Sequence, residues 1–445
     1  MKIAPVAVAF LSLATPLFGQ QTPQSLAESE LPSLLTTYKD LHTNPELSTH
    51  EQRTAAIVAK GLKAAGCEVT ENFGKYPSPS MKCYGVVGVM KNGAGPTVLV
   101  RTDLDALPVE EETGLPYASK VVTKNDEGKE VHVMHACGHD IHMSVFLGTA
   151  QALAKMKDQW HGTILFIGQP AEETVGGARA MLEDGLYTKF PKPDFALGVH
   201  DDAEVAAGKV GLTEGYACAN VDSVNVTVRG IGGHGAYPHK TKDPVVLAAE
   251  IINAWQTIAS RENNPVDPIV VTVGDIHGGT KRNIISNEVR MELTVRTYKS
   301  DVRDRVLAAI ERIAKGCAMA AGIPKELEPI VEVQKDQFTP AMYNNPELTK
   351  RIAAVFQKTF GADNVETRPA TMGGEDFSEF SLPDHSIPAL QFSLGAVAPD
   401  KVMESRKTGR PLPSLHSSKF APVPEPTIKT GVIAMTDAVL ELMKK

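Results

Sequence analysis

Thr97-Val98-Leu99-Val100-Arg101-Thr102-Asp103-Leu104-Asp105-Ala106-Leu107-Pro108 is the stretch that decides how this chain folds. Its first six residues read as a buried strand, and two carboxylates follow where the strand stops. The pattern recurs at Thr163-Ile164-Leu165-Phe166-Ile167-Gly168 before Gln169, and at Phe195-Ala196-Leu197-Gly198-Val199 before His200. Between such runs the spacing is helical: Leu31, Leu34, Leu35 and Tyr38 share one face, in a segment that ends near Asn44-Pro45. Helices alternating with buried strands from about Gln24 to Val210 specify an α/β domain. In open α/β sheets, sites assemble beyond the carboxyl ends of strands. Asp103, Gln169 and His200 all fall there.

Between about Asn220 and Glu332 the rhythm changes. Val224, Val226 and Val228 alternate as in a strand with one buried face. A helix is expected from Pro244 to Ala259, and Ile269 to Val273 returns to strand. Val289, Leu293 and Val295 alternate again, and Asp301 to Ala320 reads as an amphipathic helix capped by Ser300 or Asp301. Pro329 to Val333 closes the set. The order β-α-β-β-α-β is the ferredoxin-like arrangement. The expected organisation is a catalytic domain over residues 24–219, an inserted α+β domain over 220–332, and the rest of the catalytic domain over 333–445.

A chain of 445 residues is too long for one ordinary core. Its 42% hydrophobic and 22% charged residues are those of a folded, soluble protein. A formal net charge of −8 argues against nucleic acid or anionic membrane as the main partner. At the N-terminus, Lys2 precedes an apolar run from Ile3 to Phe18, and Gly19 offers a small residue for cleavage. This reads as a signal peptide over residues 1–20. It is short for a membrane span, and Gln20-Gln21-Thr22 follows at once. No later segment is long and apolar enough to cross a bilayer. The expectation is an exported periplasmic or extracellular protein without stable membrane insertion. Five cysteines (Cys67, Cys83, Cys137, Cys218 and Cys317) lack C-x-x-C spacing, and an odd count leaves at least one thiol unpaired. Cys137 is the natural candidate, because coordination would shield its sulfur; pairing among the others is not readable.

The densest chemistry lies in His135-Ala136-Cys137-Gly138-His139-Asp140 and Gln169-Pro170-Ala171-Glu172-Glu173. Thiolate and imidazole two residues apart, around a glycine that lets the backbone bend, suit zinc and other borderline metals. His135 and His142 are also near, so spacing alone leaves open which imidazoles bind. Of the adjacent Glu172 and Glu173, one can ligate while the other takes a proton from water. His200 offers a further ligand. Asp103 and Asp105 can fix imidazole orientation by hydrogen bonds. The glycine-rich turn from Gly230 to His239 lacks the G-K-[ST] of a phosphate loop. Its glycines let His234 approach a ligand.

These segments together resemble the dinuclear metal amidohydrolases that include hippurate hydrolases, auxin-conjugate hydrolases and N-acyl-amino-acid deacylases, within the aminoacylase and carboxypeptidase superfamily. The resemblance runs from Leu41-His42-Thr43-Asn44-Pro45-Glu46-Leu47-Ser48 through Met372-Gly373-Gly374-Glu375-Asp376-Phe377 to Leu415-His416-Ser417-Ser418-Lys419-Phe420. It implies a mixed-sheet, zinc-peptidase-like catalytic domain whose inserted domain serves as lid and dimerisation module. It implies two divalent ions, zinc or manganese, held by Cys137, His139, Glu173, His200 and His416, with Cys137 as the bridge. Glu172 would be the general base that activates a water between the ions. His234 would reach the partner subunit's site to stabilise the oxyanion. Asn283 and Arg296 match positions that bind the substrate's free carboxylate, which suits a guanidinium.

The reaction implied is hydrolysis of an N-acyl or N-aroyl amino acid to a carboxylic acid and a free amino acid, in a homodimer or higher homo-oligomer. A metallo-carboxypeptidase or dipeptidase of the same superfamily would share every ligand. Three departures from the family pattern bear on substrate identity: the acidic Asp201-Asp202-Ala203-Glu204-Val205-Ala206, Lys281-Arg282 before Asn283, and Ala421-Pro422-Val423-Pro424.

Overall fold

The computed structural model describes residues 21–79 and 81–445; the expected signal peptide, residues 1–20, lies outside the described residues. Strand Thr97–Asp103 sits inside an eight-stranded sheet. In spatial order its strands are Glu68–Phe73, Gly85–Asn92, Gly162–Gln169, Thr97–Asp103, Phe195–Ala206, Ala389–Val397, Val210–Leu212 and Val365–Thr367. The four strands Gly162–Gln169, Thr97–Asp103, Phe195–Ala206 and Ala389–Val397 run parallel to one another. The strands beyond Gly162–Gln169 run antiparallel to their neighbours, so the sheet is mixed.

The apolar runs are continuous because both faces are covered. Val98, Val100, Ile164, Phe166, Leu197 and Val199 enter one core with the helices Pro23–Thr43, His139–Lys155 and Pro424–Met443. The intervening Leu99, Leu165, Ile167 and Ala196 enter another, with Phe377 and Phe380. This is the two-residue period of a strand, with both sides dry.

Residues 220–333 form a second unit. Its antiparallel sheet orders Val270–Gly278, Glu288–Thr297, Asn220–Arg229 and Ile330–Val333. Val224, Val226, Val228, Val289, Met291, Leu293 and Val295 are buried against helices Pro244–Thr257 and Ser300–Ala320. Along most of these strands alternate residues are the more buried, because helices cover one face alone.

Three local readings change. The Phe195 strand runs on to Ala206, so His200 lies within it; its pairing with Ala389–Val397 continues past His200. Helix Ser300–Ala320 begins at Ser300 with Lys299 at its N-cap and no side-chain cap, so neither Ser300 nor Asp301 caps it. The Pro244 helix ends as an α-helix at Thr257 and widens into a π-turn over Ile258–Glu262. All five cysteines are free thiols.

Candidate metal centre

Two tight turns, one strand and one loop assemble the donors. Gly138 has a left-handed backbone (φ 72°), and the helix starts at His139 directly after it. A Cβ at 138 would lie 2.0 Å from Asp201 Oδ2, so only glycine fits. The Glu172-Glu173 turn folds back so tightly that a Cβ on Gly177 would come 1.6 Å from the Pro170 carbonyl oxygen. His200 projects from its strand. His416 arrives on the loop before the last helix, its N–H donating to the Ala136 carbonyl at 2.8 Å.

The side chains converge on Cys137. His416 Nε2 lies 3.3 Å and His200 Nε2 3.6 Å from its Sγ. His416 Nε2 is 3.5 Å from Glu173 Oε2, and His139 Nε2 is 3.8 Å from Glu173 Oε1. Donor atoms of Cys137, His139 and His200 lie within 4.8 Å of one another, and so do those of Cys137, Glu173 and His416. Cys137 therefore belongs to both triplets. Glu172 Oε2 stands beside the cluster, 3.9 Å from His139 Nε2.

Hydrogen bonds from behind fix the rings. His139 Nδ1 bonds the Asp105 carbonyl at 2.8 Å, and His200 Nδ1 bonds the Asp201 carbonyl at 2.8 Å. Each ring thereby turns its Nε2 lone pair to the cluster. His142 is engaged at both nitrogens: Nδ1 with Asp103 Oδ1 at 2.8 Å, and Nε2 accepting the Asp201 N–H at 2.9 Å. It is a strut between the strands Thr97–Asp103 and Phe195–Ala206. His135 is buried with neither ring nitrogen hydrogen-bonded, and burial lowers its pKa to about 4.

The donor set fits a divalent metal. His139 Nε2 and Glu173 Oε1 are buried without a hydrogen-bond partner, a state that costs free energy unless something satisfies them. Burial pushes the Cys137 thiol well up, with Glu173 adding to it. Burial also raises Glu172, helped by Glu375 and Glu173, and takes Glu173 to about 7. A nest that resists anions this strongly is one that cations complete.

Sequence reasoning missed what stands behind Asp103. Arg101, an arginine inside an apolar strand, is 1% exposed. Its guanidinium donates to Asp103 Oδ2 at 2.6 Å, Gln169 Oε1 at 2.8 Å and Asp376 Oδ1 at 3.2 Å, and lies 3.1 Å from Glu375 Oε1. A buried cation among three buried acids ties the Met372–Phe377 segment to the strand ends. The signal was visible as a charge where the strand pattern wanted none.

The remaining candidates lie on the second unit. Arg296 is half-buried, and a Cβ on Gly374 would come 3.2 Å from its Nη1, so it abuts the Met372–Phe377 segment. His234 and Asn283 adjoin each other through a two-residue pairing, Gly235 N–H donating to the Asn283 carbonyl at 2.9 Å. Both are exposed. The hydrogen bond described for His234 Nδ1 is local, from the Ala236 N–H at 3.0 Å.

The acidic departure after His200 has a structural account. Arg368 pairs with Asp202 and with Glu204, each at 3.0 Å. Lys281 and Arg282 are exposed beside Asn283. Val423 bonds the Ala396 carbonyl at 2.8 Å as the last helix starts.

Comparison with known proteins matches residues 99–406 to Peptidase family M20/M25/M40. Thermostable carboxypeptidase 2 of Saccharolobus solfataricus is 37% identical over 399 residues, 89% of this chain and 92% of that protein. Hippurate hydrolase of Campylobacter jejuni is 38% identical over 343 residues, 76% of this chain and 82% of that one. The crystal structure of the Bacillus subtilis YXEP protein, a dinuclear metal-binding peptidase from the M20 family, superposes with a TM-score of 0.70 at 26% identity. It covers 93% of this chain and 98% of its own. The chain belongs to peptidase family M20/M25/M40 and is a hydrolase of linear amide bonds.

Proposed function

We propose that this protein is an exported amidohydrolase that cleaves N-acyl or N-aroyl amino acids into a carboxylic acid and a free amino acid. Two divalent cations, zinc or manganese, would be held by Cys137, His139, Glu173, His200 and His416, with Cys137 shared between them. Such ions supply Lewis acidity, which makes water acidic and an amide carbonyl electrophilic near neutral pH. The observation that carries the reading is Glu172, a buried carboxyl beside the donors that neither triplet built on Cys137 needs. Its raised proton affinity suits a base that must also act as an acid. Glu172 Oε2 takes a proton from the attacking water and returns it to the departing nitrogen. Arg296 and Asn283 bind the substrate's carboxylate, Arg296 through paired hydrogen bonds. His234 donates to the developing oxyanion, a type of contact commonly worth about 3–4 kcal/mol.

His234 is exposed on the second unit and, among the described residues, its ring bonds only its own turn, which supports delivery to the site of a partner subunit in a homodimer. Export rests on the apolar run from Ile3 to Phe18. Among the described residues no helix is long and apolar enough to cross a membrane. A carboxypeptidase or dipeptidase reading is favoured by the likeness to the Saccharolobus carboxypeptidase. The test is turnover of acetyl-, benzoyl- and indoleacetyl-amino acids alongside dipeptides, after reconstitution with zinc or manganese. Faster cleavage of the N-acyl amino acids supports the proposal; cleavage of dipeptides alone overturns it.

A further inference from the structure

The Leu41–Ser48 segment resembles the family yet holds no ligand or base, and the residues just after it reach the centre from behind. Glu51 sits at the N-cap of helix Gln52–Ala64 but makes no capping bond. Glu46 does that work instead, accepting the N–H groups of Arg53 at 3.1 Å and Thr54 at 2.7 Å. The Glu51 side chain is turned elsewhere. It is fully buried, and its Oε1 accepts the Ala171 N–H and the Thr49 N–H, both at 2.8 Å. Ala171 and Thr49 both have a left-handed backbone, φ 50° and 67°, which side chains other than glycine adopt only when their surroundings hold them there. Two residues beyond Ala171, the Glu173 N–H donates to Asp105 Oδ2 at 3.0 Å, and Ser48 Oγ donates to the same oxygen at 2.6 Å. Two acidic side chains therefore grip the backbone on either side of Glu172, and the segment Ser48–Glu51 supplies or steadies both.

Resting on the metal site proposed above, we infer that Glu51 is a positioning residue: it holds Ala171 in its left-handed turn, so that Glu173 points to the metal donors and Glu172 to the reacting water. It touches neither metal nor substrate. Removing it frees the Ala171 amide, lets the turn relax towards ordinary φ, and loosens both acids at once. Apart from Glu51 and Asp105, the turn is closed by its own hydrogen bonds, Val175 N–H to the Glu172 carbonyl at 2.7 Å and Gly176 and Gly177 N–H to the Ala171 carbonyl at 3.2 and 3.3 Å.

The experiment compares full-length wild type, Glu51→Ala, Glu51→Asp and Glu51→Gln. It reads zinc affinity by chelator competition, amide exchange of the peptide spanning residues 169–176, and kinetics on benzoyl-amino acids. Glu51→Ala should weaken zinc binding by about 10- to 100-fold, the usual effect of losing a group that orients a ligand. It should also speed exchange at the turn and lower kcat far more than it raises KM. Glu51→Asp keeps the carboxyl group but is one methylene short of Ala171, and should move the same readouts in the same direction if the alanine variant does not fold. Glu51→Gln keeps the accepting oxygen and should restore wild-type exchange and zinc affinity. Wild-type zinc affinity and exchange in a folded Glu51→Ala or Glu51→Asp protein overturn the inference, as does a Glu51→Gln variant as impaired as alanine. Wild-type protein that binds zinc but cleaves no N-acyl amino acid would instead overturn the proposed function, and the zinc and exchange readouts would still decide the role of Glu51.

Discussion

The two halves of the proposed site are built differently. Around Cys137 most donors are held: the His139 and His200 rings are bonded from behind, the turns are closed by glycines at 138 and 177, Arg101 steadies the acids behind them, and His416 is anchored by its backbone N–H. Around His234 the opposite holds. The histidine and Asn283 are exposed on either side of a two-residue pairing, and the histidine ring is bonded within its own turn. The first half is preorganised, the condition under which charge stabilisation needs no rearrangement. The second is a set of groups awaiting delivery. On the proposed reading, the metal donors are preassembled and the oxyanion donor sits on a separate arm.

Two results would break this contrast at its largest scale. Glu172→Ala should lower kcat by about 10²- to 10⁴-fold, the range for a lost acid–base group, while metal analysis shows undiminished metal. Metal loss in that variant would instead make Glu172 a ligand. Removing the metal with EDTA should silence the wild type, and activity should return with zinc or manganese. Next in size, His234→Ala should lower kcat by about 10²- to 10³-fold with metal content unchanged. If the arm serves a partner, mixing Glu172→Ala with His234→Ala subunits should recover up to about a quarter of wild-type activity, because half the dimers would be mixed and each would hold one intact site. No recovery after demonstrated subunit exchange would place His234 in its own subunit's site.

The same contrast governs what the sequence disclosed. Strand runs such as Thr97–Thr102 and Thr163–Gly168 were legible because burial on both faces leaves an unbroken apolar signal. The alternation of Val224, Val226 and Val228 was legible because one face is bare. The central strand Ala389–Val397 went unread: its partner Phe195–Ala206 lies nearly two hundred residues earlier, and register is a property of pairing, not of local pattern. The extension of the Phe195 strand through two aspartates was hidden for a like reason, since Arg368 neutralises Asp202 from a distant segment. Donor types were readable from spacing, whereas the struts were not. Arg101, Glu51 and His142 act through partners that only the fold brings near.

Smaller effects sharpen the boundary between the halves. Arg296 adjoins the Met372–Phe377 segment at the seam between the two units. Arg296→Lys keeps the charge but loses the paired donors, and should raise KM for N-acyl amino acids roughly tenfold, in line with the loss of one hydrogen bond to a charged group. The rise should vanish for substrates whose carboxylate is amidated. An equal rise with both substrates would remove Arg296 from carboxylate binding.

The least effect on turnover, and a measurable one on stability, is expected at His42. This buried imidazole joins helix Pro23–Thr43 to the start of helix His139–Lys155, with Nδ1 2.6 Å from Asp140 Oδ2 and Nε2 3.1 Å from Glu111 Oε1. Tyr38, Tyr117 and His135 complete its surroundings. Burial alone would lower its pKa, but the bonds to Asp140 and Glu111 carry it up to about 10. The folded protein therefore binds this proton more tightly than the unfolded chain does. The resulting stability is fully present below about pH 6.5 and is lost as pH rises to about 10. Asp140 and Glu111, both held below the usual carboxylate range against the pull of burial, add stability that is lost only in acid. His42→Gln leaves two buried carboxylates without their cation, a change that costs about 3 kcal/mol or more. Its deficit in unfolding temperature should thus be greatest and level between about pH 5 and 6.5, then shrink steadily towards pH 10. A deficit unchanged from pH 6 to 10 would mean that His42 is neutral in the folded protein and that packing, not charge, fixes the first half of the site to its N-terminal helix.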